Sequence, residues 1–167
     1  WPTYDEKKVD VRAEETEGLI KNVLDDTLNI LRATKIKPKR IYYYSAAPWK
    51  WKIYLKLVEK SVSTRVVQSE VMRELMKAPD MKRIAKKVAK FINQVIDEIN
   101  RMPDDKKNRQ LKAGVIDETQ ALKEAEAFFE SELNAKISAY HEEDPRCHDP
   151  KKRAESAKPY RPAIYIK

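Results

Sequence analysis

Near the start of the chain apolar side chains recur at Val9, Ala13, Leu19, Ile20, Val23, Leu24, Leu28 and Leu31, with Thr16 and Thr27 in step. Only a helix puts that spacing on one face. A single helix from about Asp5 to Ala33 accommodates it, roughly 43 Å long at 1.5 Å per residue. Lys37-Pro38-Lys39-Arg40 ends it, because proline cannot continue a helix and pushes the residue before it toward extended geometry. The β-branched and aromatic run that follows, Ile41-Tyr42-Tyr43-Tyr44-Ser45, predicts a strand over residues 41–45.

Pro48 opens a second helix at a first-turn position where its missing N–H costs nothing, with Trp49, Ile53 and Leu57 on one face and Trp51 on another. Ser63 or Thr64 is placed to cap a third helix through about Met76. Pro79-Asp80 starts a fourth running to Met102, buried through Ile84, Val88, Phe91, Ile92, Val95 and Ile99. Lys82, Arg83, Lys86, Lys87 and Lys90 crowd the other side of its first half. Pro103 stops it, and Asp104 to Lys112 reads as a charged connection closing at Gly114. Asp117 followed by Gln120 resembles a capping box for a helix to about Asn134, packed through Leu122, Ala125, Phe129 and Leu133.

Strands over residues 136–140 and 163–166 complete the layout, with a helical turn over Lys151 to Ala157 between them. The last strand follows Pro159 and Pro162, and alternation puts Ile164 and Ile166 on one face and Ala163, Tyr165 and Lys167 on the other. The predicted fold class is α+β: a helix-rich domain over residues 36–167 with a small three-stranded sheet, the long helix of residues 1–35 leading into it from elsewhere. The tail is then either a presented terminus or an edge strand that closes the sheet, and both hold if its isoleucines pack inward.

Charge is unevenly spread. The total is +8, but residues 36–60 carry 7 basic and 1 acidic side chains, residues 113–145 carry 2 and 9, and residues 146–167 return to 7 and 2. A basic middle and a basic end suit a polyanionic partner, since each phosphate neutralised releases condensed counterions. A lysine-rich solvated surface would carry the same composition. Lys82, Arg83, Lys86, Lys87 and Lys90 accordingly read either as a wet helix face or as a phosphate-contacting ridge.

Candidate chemistry is thin. His141, Glu142, Glu143, Asp144, Cys147, His148 and Asp149 gather metal-binding atoms in nine residues, but without a paired CxxC or an HxxxH they read as a polar loop, and no metal is expected. Cys147 and the histidines have nothing to supply an oxyanion hole. Glu124, Glu126, Glu130 and Glu132 are spaced as the wet side of a helix. With only Gly18 and Gly114 in the chain there is no phosphate-cradling loop, so no catalytic residue and no cofactor is assigned. Trp49 and Trp51 beside Lys50 and Lys52 have the makings of a stacking platform for unpaired bases, yet aromatics at a helix start beside a hydrophobic strand more often form core. No apolar run of membrane-spanning length occurs, and the single cysteine agrees with a reducing compartment; a cytoplasmic location is expected. The start at Trp1 fits a piece of a longer chain.

Three segments together carry a resemblance: Ile41-Tyr42-Tyr43-Tyr44-Ser45-Ala46-Ala47-Pro48-Trp49-Lys50-Trp51-Lys52, the acidic helix followed by a short strand, and Ala157-Lys158-Pro159-Tyr160-Arg161-Pro162-Ala163-Ile164-Tyr165-Ile166. In this order they resemble the C-terminal region of archaeal-type leucyl-tRNA synthetases, along nearly all of the chain. The resemblance implies a tRNA-binding appendage of a class I synthetase. The parent would use ATP and magnesium to charge leucine tRNA in a Rossmann-type domain whose signature motifs this chain lacks, and its anticodon-binding helical bundle would precede residues 1–35. It implies that Ile164, Tyr165, Ile166 and Lys167 lie at the RNA, near the tip of the long variable arm or elbow of leucine tRNA, with Tyr160 beside them. Lys151, Lys152, Arg153, Lys158 and Arg161 would supply phosphate contacts that position without specifying. The family often ends in an acidic residue where this chain has Lys167, so only main-chain contacts carry over at that position. The competing expectation is a docking module that uses the acidic helix around Glu118 to Glu132 to bind the synthetase's own body or another translation factor.

Overall fold

Residue 6 is the first described in the computed structural model, which runs to residue 167 and gives side chains from residue 11 onward. The expected helix start at Asp5 and the packing of Val9 lie outside the described residues. The chain divides into two compact units: Trp1–Ala47 with Val115–Lys167, and the intervening Pro48–Gly114.

The first unit is built on helix α1 (Glu6–Thr34) and strands β1 (Arg40–Ser45), β2 (Lys136–His141) and β3 (Ala163–Ile166), in the sheet order β2-β1-β3. β1 pairs parallel with β2 and antiparallel with β3, so the central strand is bonded along both edges. One sheet face is apolar. Ile41, Tyr43, Ile137 and Ala139 are buried against Leu19 and Val23 of α1, Leu122 of α7 (Glu118–Glu124), and Phe129 and Leu133 of α8 (Glu126–Leu133). The stripe read along α1 is therefore buried on the sheet through Leu19, Val23 and Thr27, whereas Ala13 is exposed.

Thr27 and Tyr43 settle each other's polarity inside this core. Thr27 Oγ1 donates to the Val23 carbonyl at 2.7 Å, which leaves the Tyr43 hydroxyl to donate to Thr27 Oγ1 at 2.9 Å. Burial pushes the Tyr43 phenol up to about 12, with the Thr27 bond opposing.

The second unit packs α2 (Pro48–Ser63) on α5 (Ala85–Arg101) and α6 (Asp104–Ala113), and α3 (Gln68–Leu75) on α5, with the short α4 (Pro79–Arg83) before α5. Its core holds Trp51, Ile53, Leu57, Val58, Val88, Phe91, Ile92, Val95 and Ile99. Glu74 of α3 accepts from Lys56 at 2.7 Å and from Lys60, and these hydrogen bonds take its carboxyl down to about 2.

Several expected boundaries are corrected. Ser63 is the last residue of α2, and α3 begins only at Gln68. The Asn100 side chain accepts from the Val66 amide at 2.9 Å and donates to its carbonyl at 3.0 Å, holding that residue out of the helix. The fourth helix is broken at Ile84 (φ −114°, ψ 25°), and the helix after Asp117 at Ala125 (φ −89°, ψ 0°). Residues 104–112 are helical, not a loop. The buried face of α6 is Lys107, Gln110 and Ala113, so apolar periodicity could not reveal it. Gln110 accepts from the Tyr54 hydroxyl at 2.9 Å and Lys107 donates to the Ser61 carbonyl at 3.0 Å, which meets the requirement that buried polar groups be bonded. The Asp117 cap is made, with Oδ1 accepting from the Gln120 amide at 3.0 Å, but the Gln120 side chain turns to Glu124 and the box stays half closed. Between β2 and β3 only Ala154–Ser156 is helical, as a 3₁₀ turn.

Phe129 is fully buried beside Tyr43, with ring centroids 5.1 Å apart. Phe129→Ala is expected to cost about 3–5 kcal/mol, read as a lowered urea midpoint. Glu118, 2% exposed, accepts from the Tyr160 amide at 2.6 Å. Burial pushes its carboxyl up to about 8, against the opposing Tyr160 and Ala46 amides. The native state then keeps a proton that the unfolded chain releases near its ordinary value of about 4.3. The resulting stabilisation is complete below that value and is lost as pH rises toward 8. Urea midpoints should therefore fall between pH 5 and 8, and E118Q, which cannot ionise, should flatten that fall.

Candidate nucleic-acid interface

The approach to β3 is a tight turn. Lys158 and Arg161 exchange both main-chain hydrogen bonds, at 3.1 and 2.9 Å, across Pro159 and Tyr160. Proline in second position and a left-handed third residue, Tyr160 at φ 65°, match a type II turn, which ordinarily takes glycine there. The buried Glu118 carboxyl holds that strained residue by its amide. The prolines thus aim the tail, and Glu118, expected on the acidic outer side of its helix, fixes the aim from inside the fold.

Once in the sheet, β3 alternates. Register pairs Tyr44 with Ala163, Tyr43 with Ile164, Tyr42 with Tyr165 and Ile41 with Ile166. The Lys167 amide donates to the Arg40 carbonyl at 2.8 Å, and the Lys167 carbonyl accepts from the amides of Arg40 at 3.0 Å and Lys39 at 2.8 Å. In an antiparallel ladder such bonded pairs fall on every second residue. The main chains of Ala163, Tyr165 and Lys167 therefore serve β1, and the N–H and C=O groups of Ile164 and Ile166 point from the open edge. The isoleucine side chains pack partly buried against the core.

The second sheet face is aromatic and basic. The Tyr42 ring stacks on Tyr165 (5.8 Å, 18°) and on Tyr140 (6.4 Å, 22°), with the His148 ring tilted over it at 5.0 Å. Tyr42 is buried under this cover, while Tyr165 and Tyr140 keep part of their surface in solvent. The Tyr44 hydroxyl donates to the His148 carbonyl, and burial followed by the nearby Asp149 charge pushes its phenol upward. At the end of the same face Lys136 and Lys167 flank Arg40 in register, and all three are exposed, with the Lys136 ammonium turned to Glu130 of α8 at 3.4 Å. Arg40 and Lys136 were not among the residues expected at the interface. Their signal was strand register, which no linear motif displays.

Of the cations expected beside the tail, Lys151, Lys152, Arg153 and Arg161 are exposed and Lys158 is partly buried. The structure brings Arg153, Lys158 and Arg161 together with Ile164 in one cleft of about 360 Å³, whose other wall is Asp26, Asn29 and Ile30 of α1. Lys151 and Lys152 are not among its lining residues. The ridge residues are all exposed but belong to two helices, Lys82 and Arg83 to α4 and Lys86, Lys87 and Lys90 to α5. Trp51 is fully buried against Tyr54, and Trp49 is only partly buried, edge-on to Phe91 with Lys50 near both rings, so the more buried tryptophan is the one outside the expected stripe.

Residues 141–149 spend their donor atoms on the chain. Glu142 accepts from the Ala47 amide at 2.7 Å, Asp144 takes the Arg146 guanidinium at 3.1 Å, and Asp149 accepts from the amides of Arg153 and Ala154 at 2.7 and 2.9 Å. Burial, then the carboxylates of Asp149 and Asp144, pushes the Cys147 thiol upward, away from nucleophilic use. Among the described residues no three metal-binding side chains converge, and no helix is long and apolar enough to cross a membrane.

No family model matches the chain. It is 34% identical over 166 residues to a leucine–tRNA ligase of Methanosarcina barkeri, 30% over 166 residues to that of Methanocaldococcus jannaschii, and 35% over 167 residues to that of Pyrococcus abyssi. Each match covers 99% of this chain but only 17%, 15% and 15% of the relative, so the chain spans about one sixth of their length. Matches that span 99% of the chain place it in the archaeal-type leucyl-tRNA synthetase family, to one portion of which it corresponds.

Proposed function

We propose that this chain is the C-terminal, tRNA-binding part of a leucyl-tRNA synthetase and that it grips leucine tRNA at its long variable arm and elbow. The parent, a cytoplasmic enzyme, would join leucine to that tRNA with ATP and magnesium, and this part would carry no catalytic residue. In this reading α1 leads in from the anticodon-binding bundle and residues 36–167 form the RNA-binding domain.

The observation that carries the proposal is β3. Its alternation leaves the main-chain polar groups of Ile164 and Ile166 on an open edge beside the ring of Tyr165, part of which stays in solvent, and RNA readers address splayed-out bases in this way. Lys167 would act through its ammonium, because its main chain is engaged with β1. Tyr160 would shape the turn, while Lys151, Lys152, Arg153, Lys158 and Arg161, joined by Arg40 and Lys136, would hold phosphates. The exposed set Lys82, Arg83, Lys86, Lys87 and Lys90 would meet a further stretch of backbone.

A docking role has one observation in its favour. Phe128 is 47% exposed at an apolar cleft with Ile20, Ala121 and Ala125, a surface suited to the remainder of the synthetase or to another translation factor.

Binding of the chain to leucine tRNA, to the same tRNA with its variable arm shortened, and to a short-arm tRNA, each across a salt series, separates the two. RNA reading requires preference for the long arm and affinity that falls steeply with salt. Y165A should weaken long-arm binding about tenfold, in line with a lost stack of about 1–3 kcal/mol. Replacing Lys151, Lys152 and Arg153 by alanine should flatten the salt dependence while keeping the preference. Equal binding to all three RNAs would reduce the basic surface to general electrostatic attraction and favour docking.

A further inference from the structure

We infer that the cleft between α1 and the approach to β3 is a pocket for a single extruded nucleotide, and that Asp26 makes it selective for guanine. This rests on the RNA-binding reading above and goes further, naming the base and the side chain that reads it.

The cleft is built from two walls. Asp26, Asn29 and Ile30 lie three and four residues apart and so share one face of α1, while Arg153, Ser156, Lys158, Arg161 and Ile164 come from the other side. Its volume of about 360 Å³ is of the size one nucleotide fills. Ile30, 37% exposed, and the partly buried Ile164 offer aliphatic surface to the faces of a base. Arg153, Lys158 and Arg161 supply the charge for its phosphate.

Asp26 is the residue that phosphate binding alone does not explain. A carboxylate among three cations repels the anion they attract. Among the described residues it faces Arg161, whose Nε lies 3.8 Å from Oδ2, and the two side chains are 42% and 60% exposed. An ion pair so long and so wet is weak, and both groups are released to a ligand at little cost. What a carboxylate then offers is two adjacent acceptors and no donor. Among the unpaired bases only guanine presents two adjacent donors, N1–H and N2–H, on its Watson–Crick edge. Adenine, uracil and cytosine each place an acceptor next to their donor, and that acceptor would face a carboxylate oxygen.

The test uses the 167-residue chain and RNA hairpins of one stem whose uridine loop carries a single guanine, inosine or adenine. The unsubstituted chain should bind the guanine loop roughly tenfold tighter than the adenine loop, in keeping with one good bidentate contact, and the inosine loop, lacking the 2-amino group, in between. Asp26→Asn should erase that order, bringing guanine down to the adenine level while adenine binding holds or improves. Arg161→Gln should weaken all loops alike and leave the order intact. A urea midpoint unchanged in both variants would assign these effects to the surface. Salt-dependent but equal binding to all three loops by the unsubstituted chain overturns the guanine pocket and leaves RNA binding standing. A common factor lost for every loop in Asp26→Asn, or loss of the order in Arg161→Gln, overturns the role of Asp26. Absence of salt-dependent binding to any hairpin removes the RNA reading beneath it.

Discussion

The central strand β1 is the constraint on which the first unit depends. Its main chain is bonded on one edge to β2 and on the other to β3, both far along the chain, so nothing local satisfies it. Its side chains are buried on both faces. Tyr43 and Tyr44 bring a hydroxyl to opposite sides of the sheet, and each finds a partner, Thr27 on α1 for one and the His148 carbonyl for the other. The tail is for this reason structural and presented at once. Every second residue of β3 completes β1, and the main-chain polar groups of the residues between point from the open edge.

Legibility in the sequence followed the kind of interaction that fixes each element. Strands over residues 41–45, 136–140 and 163–166 were readable because β-branched and aromatic side chains alternate there, and the observed strands agree to within a residue. The long stripe of α1 was readable for the same reason. Helix α6 was hidden because its buried face is Lys107, Gln110 and Ala113, held by hydrogen bonds that no hydropathy pattern records. The start of α3 was misplaced because Asn100, 34 residues away, decides the backbone at Val66. At the candidate site, the composition of the tail was plain, but the cleft required α1 to lie beside it. Nothing about Asp26 in the sequence sets it apart from the other acidic residues of that helix.

The chain leaves the first unit after Ala47 and returns at Val115, and the segment between them folds around its own core. The basic surface is divided accordingly. The cluster around β3, Arg153, Lys158 and Arg161 belongs to the first unit, and the set from Lys82 to Lys90 belongs to the second. Glu118 connects the acidic helix to the basic tail from inside the fold: its buried carboxyl anchors the turn at Tyr160, so that helix shapes the tail by position and not by surface charge.

The most direct measurement is amide hydrogen exchange along β3, read by NMR in the free chain and with leucine tRNA bound. The account predicts slow exchange at Tyr165 and Lys167 and fast exchange at Ile164 and Ile166 in the free chain, with the isoleucine amides becoming protected on RNA binding. Isoleucine amides that are already protected in the free chain, or that exchange just as fast with tRNA bound, would contradict it.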